Sequence, residues 1–345
     1  MAEYLSVSSA VAMSLPRPVV DPVPRKLPPI FRVESLERTP VNGCHHRCRT
    51  TLFHEQATIT VEWLAQHVDV RIAKGCLVSI RWLGNPQCID GTIRISRLVL
   101  IERPEVVCNL FQTIPHGWIR DRALVGRAAR LWEQLPRGFQ QLFNAIFWDG
   151  KRLHRYIAGP SSLNGHHNNL NGNFRHSVEV AEQALALGRA QASSFEPVLI
   201  IGGLLHDAGK ADEYRYDHAR GCFEMSPRGA LIGHKNTLLE WIAAAMARDR
   251  IILPEAHYLA LVHALTAAKG APGWLGLREP LSLDATLLSM ADRLSGQGDL
   301  HQRMAPAQDG FGRYHRHLGG RPFVVADRSA AHVVELQQGA AMNSP

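Results

Sequence analysis

The spacing of apolar and polar positions changes from strand-like to helix-like along the chain, and the period lengthens beyond Pro115. Upstream, segments such as TLFHEQATITVEWL and GTIRISRLVLIE are rich in Val, Ile and Thr and partly alternate apolar with polar residues. Turn-forming residues separate these segments at positions 75, 84–86 and 90–91. Several short strands in so few residues predict a small β-rich domain over residues 50–106, for which an OB-like barrel is one candidate.

Downstream of this domain, apolar residues recur at the three- and four-residue intervals that are typical of helices. DRALVGRAARLWEQL and FQQLFNAIFW predict a helical connector over residues 107–150. Five further segments predict a helical bundle over residues 151–300: HSVEVAEQALALGRAQA, PVLIIGGLLHDAG, HKNTLLEWIAAAMARD, EAHYLALVHALTAA and LDATLLSMADRLS. We therefore expect a mainly α fold, in which a helical bundle follows the small β-rich domain.

Both ends of the chain lack this periodicity. Residues 1–49 are rich in Pro, Ser and Arg, which is typical of a flexible arm. Residues 301–345 predict a basic, flexible tail. Within that tail, GFGRYHRHLGGRPF mixes arginine, histidine and aromatic residues, a composition that can also hold a nucleic acid strand by stacking and charge.

The charge of the chain adds a suggestion about its partner. Lys and Arg total 38 against 31 Asp and Glu, so the net charge is +7, and 32 of the basic residues are arginine. Arginine binds phosphate through two parallel hydrogen bonds, which favours a polyanionic partner such as nucleic acid. A genomic preference for arginine codons would produce the same excess, and composition does not choose between the two.

Composition also excludes some classes of protein. No run of 18 apolar residues occurs, which excludes a membrane-spanning helix. The first residues, MAEYLSVSSAVAMSLP, have no basic stretch of the kind that opens a secretory signal. Six cysteines are ordinary for a reduced protein of this length. We expect a cytoplasmic protein that does not associate with membranes.

The most informative segment is LLHDAGK, residues 204–210, in which an apolar helix ends at His206 and Asp207. Burying two ionisable groups at such a position is costly unless a cation neutralises them. His176 lies in FRHSVEVAEQA beside an apolar stripe, and Asp292 lies in the apolar segment LLSMADRLS. Two imidazoles and two carboxylates from three helices can hold a divalent metal and leave positions for water and a phosphate.

This pattern resembles the HD-domain metal-dependent phosphohydrolases, whose motif is H…HD…D. His176, His206, Asp207 and Asp292 match the four motif residues, and Lys210 matches the lysine that often follows the HD pair. The resemblance covers roughly residues 150–300. It implies that the four residues bind one divalent metal or part of a two-metal centre, commonly with Mn²⁺ and otherwise with Mg²⁺, Fe or Zn²⁺.

A narrower resemblance connects the chain with the YhaM-type 3′–5′ exoribonucleases, which carry an OB domain before the HD domain. PSSLNGHHNNLNGNFRH looks like their P-x5-HH-x8-H segment, with Pro160, His166, His167 and His176 at the matching positions. GALIGHKNTLLEW is similar to their G-x-L-x-GH segment and brings in His234. This resemblance spans residues 50–300 and implies single-stranded RNA or DNA as the substrate.

One segment departs from that family. Where a His-His-Gly segment is usual, residues 266–270 read TAAKG. His263 lies one helical turn earlier and can present an imidazole from nearly the same face, or it can be structural. A second metal ion would need His234 and a further histidine such as His263, so the resemblance leaves open whether one or two ions bind.

The HH-x8-H segment is also similar to the TraI-like HD core of MobH-type conjugative relaxases, which process DNA. Three hypotheses therefore remain. The first is a metal-dependent 3′–5′ exonuclease or phosphodiesterase, and the second is a relaxase-like protein of a mobile element. The third is a catalytically reduced HD protein that only binds nucleic acid.

The sequence suggests roles for several further residues. A bound metal would lower the pKa of its water and orient the phosphate, and Lys210 would contact a phosphate oxygen. His166 and His167 lie in an Asn- and Gly-rich segment and are expected to face the substrate as phosphate contacts or proton donors. In the β-rich domain we expect at least one of Trp63 and Trp82 to pack in the core. The candidate nucleic-acid contacts there are Arg71, Arg81, Arg94, Arg97 and Trp82.

Overall fold

The computed structural model describes residues 20–21, 27–41, 43, 45–191 and 194–325. The chain forms two compact units, which are residues 1–101 and residues 102–345. In the described part of the chain, no helix combines the length and the apolar character that crossing a membrane requires.

The first unit is a β-barrel. Its strands are β1 (Val20–Asp21), β2 (Phe31–Pro40), β3 (His46–His54), β4 (Ala57–Ala65), β5 (Leu77–Trp82), β6 (Cys88–Ile89) and β7 (Thr92–Leu100). The five longer strands pair in the order β7-β4-β3-β2-β5, and β5 pairs with β7 to close the barrel. Only β4 and β7 run parallel. Closure removes the edges of the sheet, and the arrangement fits the OB-like barrel that the sequence predicts.

Alternating residues of these strands fill the barrel. Ile59 and Val61 of β4 and Ile93 and Ile95 of β7 belong to one buried apolar cluster. Trp63, the next residue on the same face of β4, packs against this cluster, as expected for one of the two tryptophans. One face of each strand is buried in the barrel and the other faces solvent. Polar residues therefore alternate with the apolar ones along the sequence.

The predicted arm over residues 1–49 is wrong for the part that forms β2 and the start of β3. The sequence FRVESLERTP hides this strand because most of its later positions are exposed and polar, and its fully buried residues lie only at its start. Phe31 and Val33 are buried in the barrel. Arg32 is also fully buried, and its guanidinium donates to the carbonyl oxygen of Gly75 at 2.7 Å. Residues 1–19 and 22–26 lie outside the described residues.

The candidate nucleic-acid contacts of this unit lie mostly on its outer surface. Arg81, Arg94 and Arg97 are exposed, and Arg81 is the cross-strand neighbour of Arg97. Trp82 is 38% exposed. The Arg71 guanidinium is already paired with Asp69 through two nitrogens, at 2.9 and 2.8 Å. A role of these side chains in binding nucleic acid stays a prediction.

The second unit is helical. Its helices are α1 (Arg122–Glu133), α2 (Arg137–Phe147), α3 (Gly150–Ala158), α4 (Gly172–Arg189), α5 (Glu196–Leu205), α6 (Lys210–Glu213), α7 (Pro227–Leu231), α8 (Gly233–Asp249), α9 (Glu255–Thr266) and α10 (Leu283–Met304). Two hairpins accompany them, formed by β8 (Tyr214–Asp217) with β9 (Cys222–Met225) and by β10 (Gly310–Phe311) with β11 (Phe323–Val324).

Helix α5 lies at the centre of this unit. Its sequence EPVLIIGGLL is apolar on every side, and all its residues from Val198 to Leu205 are buried. It packs against α4, α9 and α10. The contact with α4 is close because Gly203 has no side chain, and a Cβ there would lie 2.4 Å from the Ala181 Cα. Three helices are thereby brought together at the end of α5.

Two predicted boundaries change in this unit. The segment 107–150, predicted as a connector, is part of the helical core, since the Phe111 ring lies 5.1 Å from that of Phe143 and 5.7 Å from that of Phe174. The prediction of a flexible tail from residue 301 is wrong up to residue 325, because α10 continues to Met304 and the β10–β11 hairpin follows. Residues 326–345 lie outside the described part.

Candidate metal centre

The four predicted ligands meet at the end of α5. His176 comes from α4, His206 and Asp207 follow α5, and Asp292 comes from α10. The Nε2 atoms of His176 and His206 are 3.2 Å apart. The Oδ1 atom of Asp292 lies 3.1 Å from the first of these nitrogens and 3.7 Å from the second. The Oδ2 atom of Asp207 lies 3.5 Å from both.

Hydrogen bonds on the far side of each imidazole fix which nitrogen carries the proton. The Nδ1 atom of His206 lies 2.9 Å from the carbonyl oxygen of Gly203, which can only accept, so Nδ1 is the donor. The Nδ1 atom of His176 lies 3.0 Å from Ser295 Oγ, and that hydroxyl donates to Glu179 Oε2 at 2.8 Å. Because the single hydroxyl proton is used, His176 Nδ1 is also a donor. Both Nε2 lone pairs therefore face the cluster.

This donor set fits a divalent metal ion. Lone pairs of two nitrogens and oxygens of two carboxylates converge, which is unfavourable unless a cation lies among them. His176, His206 and Asp207 are buried, and one ligand atom of each lies within 4.8 Å of the others. Imidazole nitrogen with carboxylate oxygen suits Zn, Fe and Mn ions. The four residues would hold the ion.

The charges around the cluster are set by the same contacts. Burial by itself raises the pKa of Asp292, but its close contacts with His176 and His206 outweigh burial and hold this pKa far below its usual range. Burial lowers the pKa of His176. For His206 the nearby Asp207 and Asp292 outweigh burial, so its pKa is raised. The carboxylates stay ionised and favour positive charge at this point.

Lys210 is anchored on the same carboxylate. Its Nζ donates to Asp207 Oδ2 at 2.6 Å and to the buried Ser161 hydroxyl at 3.3 Å. Burial raises the pKa of Asp207, but Lys210 and the neighbouring imidazoles outweigh burial and hold it well below its usual range. Lys210 therefore stabilises the ionised Asp207 and also presents an ammonium group to the adjoining cavity.

His234 lies on the other oxygen of Asp207, with Nε2 at 3.5 Å from Oδ1. Glu213 at the end of α6 orients it, because its Oε2 accepts from the His234 backbone N–H at 2.7 Å and lies 2.8 Å from Nδ1. Asp207 thus has one oxygen toward the imidazoles of His176 and His206 and the other toward His234. In the described chain, no cluster of three ligand atoms within 4.8 Å includes His234.

The structure does not bring His263 into this site, so its prediction as a metal ligand is wrong. Its Nε2 accepts a hydrogen bond from the Leu281 backbone N–H at 2.9 Å, which uses the lone pair of that nitrogen. The cavity wall near the end of α9 is formed instead by Ala267, Ala268 and Lys269. An i−4 position on a helix shares a face only while the helix continues, and α9 ends at Thr266.

Comparison with known protein families assigns the segment that holds these residues. The family model described as HD domain matches residues 173–297. This segment is similar to HD domains. Proteins with this domain are generally metal-dependent phosphohydrolases, and the four residues of the cluster all lie within the match. No solved structure gives a significant match to the chain.

Just before the segment that matches the HD domain, the side chains of the adjacent residues His166 and His167 lie in different places. The His166 side chain lines the cavity, and its ring lies 4.6 Å from that of His176. Burial lowers its pKa to about 4, so it is a neutral imidazole near pH 7. Of the two roles expected for it, this favours the phosphate contact over the proton donor, because so acidic an imidazolium is scarce at that pH. A neutral ring still offers a hydrogen bond to a phosphate.

His167 does not line the cavity, which corrects the expectation that it faces a substrate there. It is 5% exposed, and its φ of +44° is held in the left-handed region by a hydrogen bond from its N–H to Asp299 Oδ2 at 2.9 Å. Its Nε2 lies 3.3 Å from both Ser295 Oγ and Glu179 Oε2. His167 is a positioning residue, since it acts on the same hydroxyl that orients His176.

The HD domain bounds a cavity of about 420 Å³. Besides residues of the four-residue ligand cluster, its wall carries four cationic side chains and two further imidazoles: Lys210, Lys235, Lys269, Arg293, His166 and His234. Its only carboxylates are Asp207 and Asp292 among the described residues that line it. A cavity with this charge is suited to an anion next to the metal.

Sequence reasoning missed three residues that support the ligands, namely Ser295, Glu179 and Glu213. Helical spacing offered a signal for two of them. Ser295 follows Asp292 by three positions and Glu179 follows His176 by three, so each pair shares a helix face. Glu213 had no such signal, because α6 and α8 meet only in the folded chain.

Replacing Ser295 by Ala is expected to weaken metal binding by about 10- to 100-fold, as is common when a ligand loses its supporting hydrogen bond. The change removes the acceptor of the His176 Nδ1 proton, and the ring then also populates the tautomer with the proton on Nε2. Titration of the metal-free protein with Zn²⁺ or Mn²⁺ measures the loss. Thr286→Ala, an exposed hydroxyl on the same helix, is the control and should bind as the wild type does.

Proposed function

We propose that this chain is a metal-dependent phosphodiesterase that acts on nucleic acid, and specifically a 3′–5′ exonuclease on single-stranded RNA or DNA. The cavity beside the metal cluster carries the proposal, since four cationic side chains surround a site whose ligands suit a divalent ion. The OB-like barrel supports a polymer as the substrate, because the faces and loops of such barrels commonly bind oligonucleotides.

The proposed chemistry divides between the ion and the residues of the chain. A bound divalent ion would supply Lewis-acid activation of water and of the phosphate. Lys235, Lys269 and Arg293 would hold the non-bridging oxygens of the phosphate by charge, while Lys210 keeps Asp207 ionised. Neutral His166 would donate or accept a hydrogen bond at the same phosphate. Wall residues such as Ala264 and Leu288 contribute the apolar part of the cavity.

The direct experiment is incubation of the purified chain with Mn²⁺ and end-labelled single-stranded RNA and DNA. We expect a ladder of products shortened from the 3′ end by successive mononucleotides, and a preference for one sugar would identify the nucleic acid. Nicking at a single site within a transfer origin would instead support the relaxase-like hypothesis. Binding without cleavage under Mg²⁺, Mn²⁺, Fe²⁺ and Zn²⁺ would contradict both enzymatic hypotheses and favour a protein that only binds nucleic acid.

A further inference from the structure

The segment of residues 310–325, named here the C-terminal hairpin, has a surface that the proposed catalytic site does not use. Three of its aromatic side chains are well exposed: Phe311 at 62%, Tyr314 at 66% and Phe323 at 58%. The Phe311 and Phe323 rings contact one another edge to face at 5.1 Å across the strand pair. Aromatic rings left in water in this way are typical of a surface that binds a partner.

The charge of the C-terminal hairpin is of one sign. It contains Arg313, Arg316 and Arg321 together with His315 and His317, and it contains no Asp or Glu. Arg321 donates to the Gly312 carbonyl oxygen at 2.7 Å and thus shapes the hairpin itself. Arg313 and Arg316 are exposed between the aromatic residues. Alternating rings and guanidinium groups complement the bases and phosphates of a single strand.

The hairpin is fixed to the end of α10. The Arg313 N–H donates to the Met304 carbonyl oxygen at 3.0 Å. Gly312 allows this approach, since a Cβ there would lie 1.9 Å from the same oxygen atom. Residues 305–309 connect the hairpin to α10, the helix that carries Asp292 and Ser295, and the Arg313–Met304 hydrogen bond holds the two together.

The same end of α10 reaches the segment that precedes the HD domain. The Arg303 guanidinium donates to the Gly165 carbonyl oxygen at 2.6 Å and to Asn168 Oδ1 at 3.1 Å. His317 of the hairpin lies against Gly165 as well, because a Cβ at that glycine would be 3.4 Å from the His317 Cε1 atom. Gly165 is followed directly by His166, which lines the cavity. The hairpin thus borders the loop that forms one wall of the catalytic cavity.

We propose that the C-terminal hairpin binds single-stranded nucleic acid next to the catalytic cavity. Tyr314 and Phe311 stack on bases, and Arg313 and Arg316 contact the phosphates between them. This inference rests on the proposed function for the class of substrate. A second protein is a poorer match, since a surface with exposed arginines and no carboxylate would need an acidic partner, whereas nucleic acid offers flat rings and charge together.

The test measures binding of fluorescent single-stranded RNA and DNA, each about 16 nucleotides long, to the full chain by anisotropy over a range of salt. Tyr314→Ala is expected to weaken binding about 5- to 100-fold, as loss of a stacked base does. Arg316→Gln should weaken it less and reduce the slope of log K against log salt by about one. Arg137→Gln removes an exposed arginine at the start of α2 and is the matched control, which should bind as the wild type does.

A second measurement separates this inference from the proposed function. Hydrolysis of the small diester bis(p-nitrophenyl) phosphate needs the metal centre but no bound strand, so the hairpin variants should hydrolyse it as the wild type does. Variants that bind both oligonucleotides with wild-type affinity and salt slope would overturn the role of the hairpin. A wild-type chain that binds oligonucleotides through the hairpin but cleaves neither substrate would overturn the proposed function instead.

Discussion

Asp207→Asn is expected to reduce phosphodiester hydrolysis by on the order of 10³-fold or more, because one carboxylate serves the whole site. Its Oδ2 atom lies 3.5 Å from the Nε2 atoms of His176 and His206, and its Oδ1 atom lies 3.5 Å from His234 Nε2. The amide has the same shape but carries no charge, so it binds a divalent ion weakly. It also leaves the Lys210 ammonium without its ionic partner.

The measurement pairs steady-state hydrolysis of bis(p-nitrophenyl) phosphate with the number of metal ions per chain after dialysis. We expect activity and bound metal to fall together. Asp212→Asn is the matched control, because Asp212 lies five residues further on and pairs with Arg155 in a partly exposed ion pair. Circular dichroism confirms that each variant is folded. Retained turnover in Asp207→Asn with full metal content would refute the assignment of the metal site.

The same residues explain how far the sequence alone predicts the site. His206 and Asp207 are predictable because an apolar helix ends at an ionisable pair, and His176 and Asp292 because they stand in apolar helices. The role of Glu213 is not predictable, since this residue becomes a partner of His234 only when α6 meets the start of α8. His166 and His167 read alike in the sequence, and only the backbone turn at His167 sends their side chains to different places.

Prediction of the fold from the sequence is limited in the same way, by contacts that form only in the folded chain. The strands β4, β5 and β7 are recognisable because Val and Ile alternate with polar residues, as in GTIRISRLVL. Strand β2 is not, because most of its later positions are exposed and polar and the fully buried Arg32 reads as a solvent-exposed arginine. Its burial becomes understandable only with the Gly75 carbonyl that accepts from it at 2.7 Å. A tertiary partner overrides the local pattern in each of these cases.

The charges that line the cavity bear on the number of metal ions, which the sequence leaves open at one or two. The described residues that line the cavity include Lys269 and Lys235, and Lys235 directly follows His234. Ammonium groups at this position repel a second cation but attract a phosphate oxygen. The cluster around Asp207 offers donors for one ion, and the lysines of the same cavity add positive charge from the chain itself. This charge is consistent with a centre that binds its substrate by lysine as much as by metal.

Gly203→Ala is expected to destabilise the helical unit by about 1–3 kcal/mol, since it forces an additional methyl group into a packed contact. A Cβ at Gly203 would lie 2.4 Å from the Ala181 Cα and 2.6 Å from the Ala181 backbone nitrogen. Backbone atoms cannot rotate away as a side chain does, so α4 must shift relative to α5. These two helices carry His176 and lead to His206, so the 3.2 Å between their Nε2 atoms must change and metal affinity should fall with stability.

The neighbouring glycine provides the control for this prediction. A Cβ at Gly202 would meet the side chain of Leu288, with Cδ2 at 3.0 Å and Cδ1 at 3.8 Å, and a leucine side chain can adjust by a few tenths of an ångström. Alanine also favours a helix by about 1 kcal/mol over glycine, so Gly202→Ala should be close to neutral in stability and in metal binding. Urea unfolding followed by far-UV circular dichroism, with metal titration of both variants, compares the two. Equal behaviour would mean that the α4–α5 contact does not position the ligands, whereas a loss confined to Gly203→Ala ties the metal centre to this backbone contact.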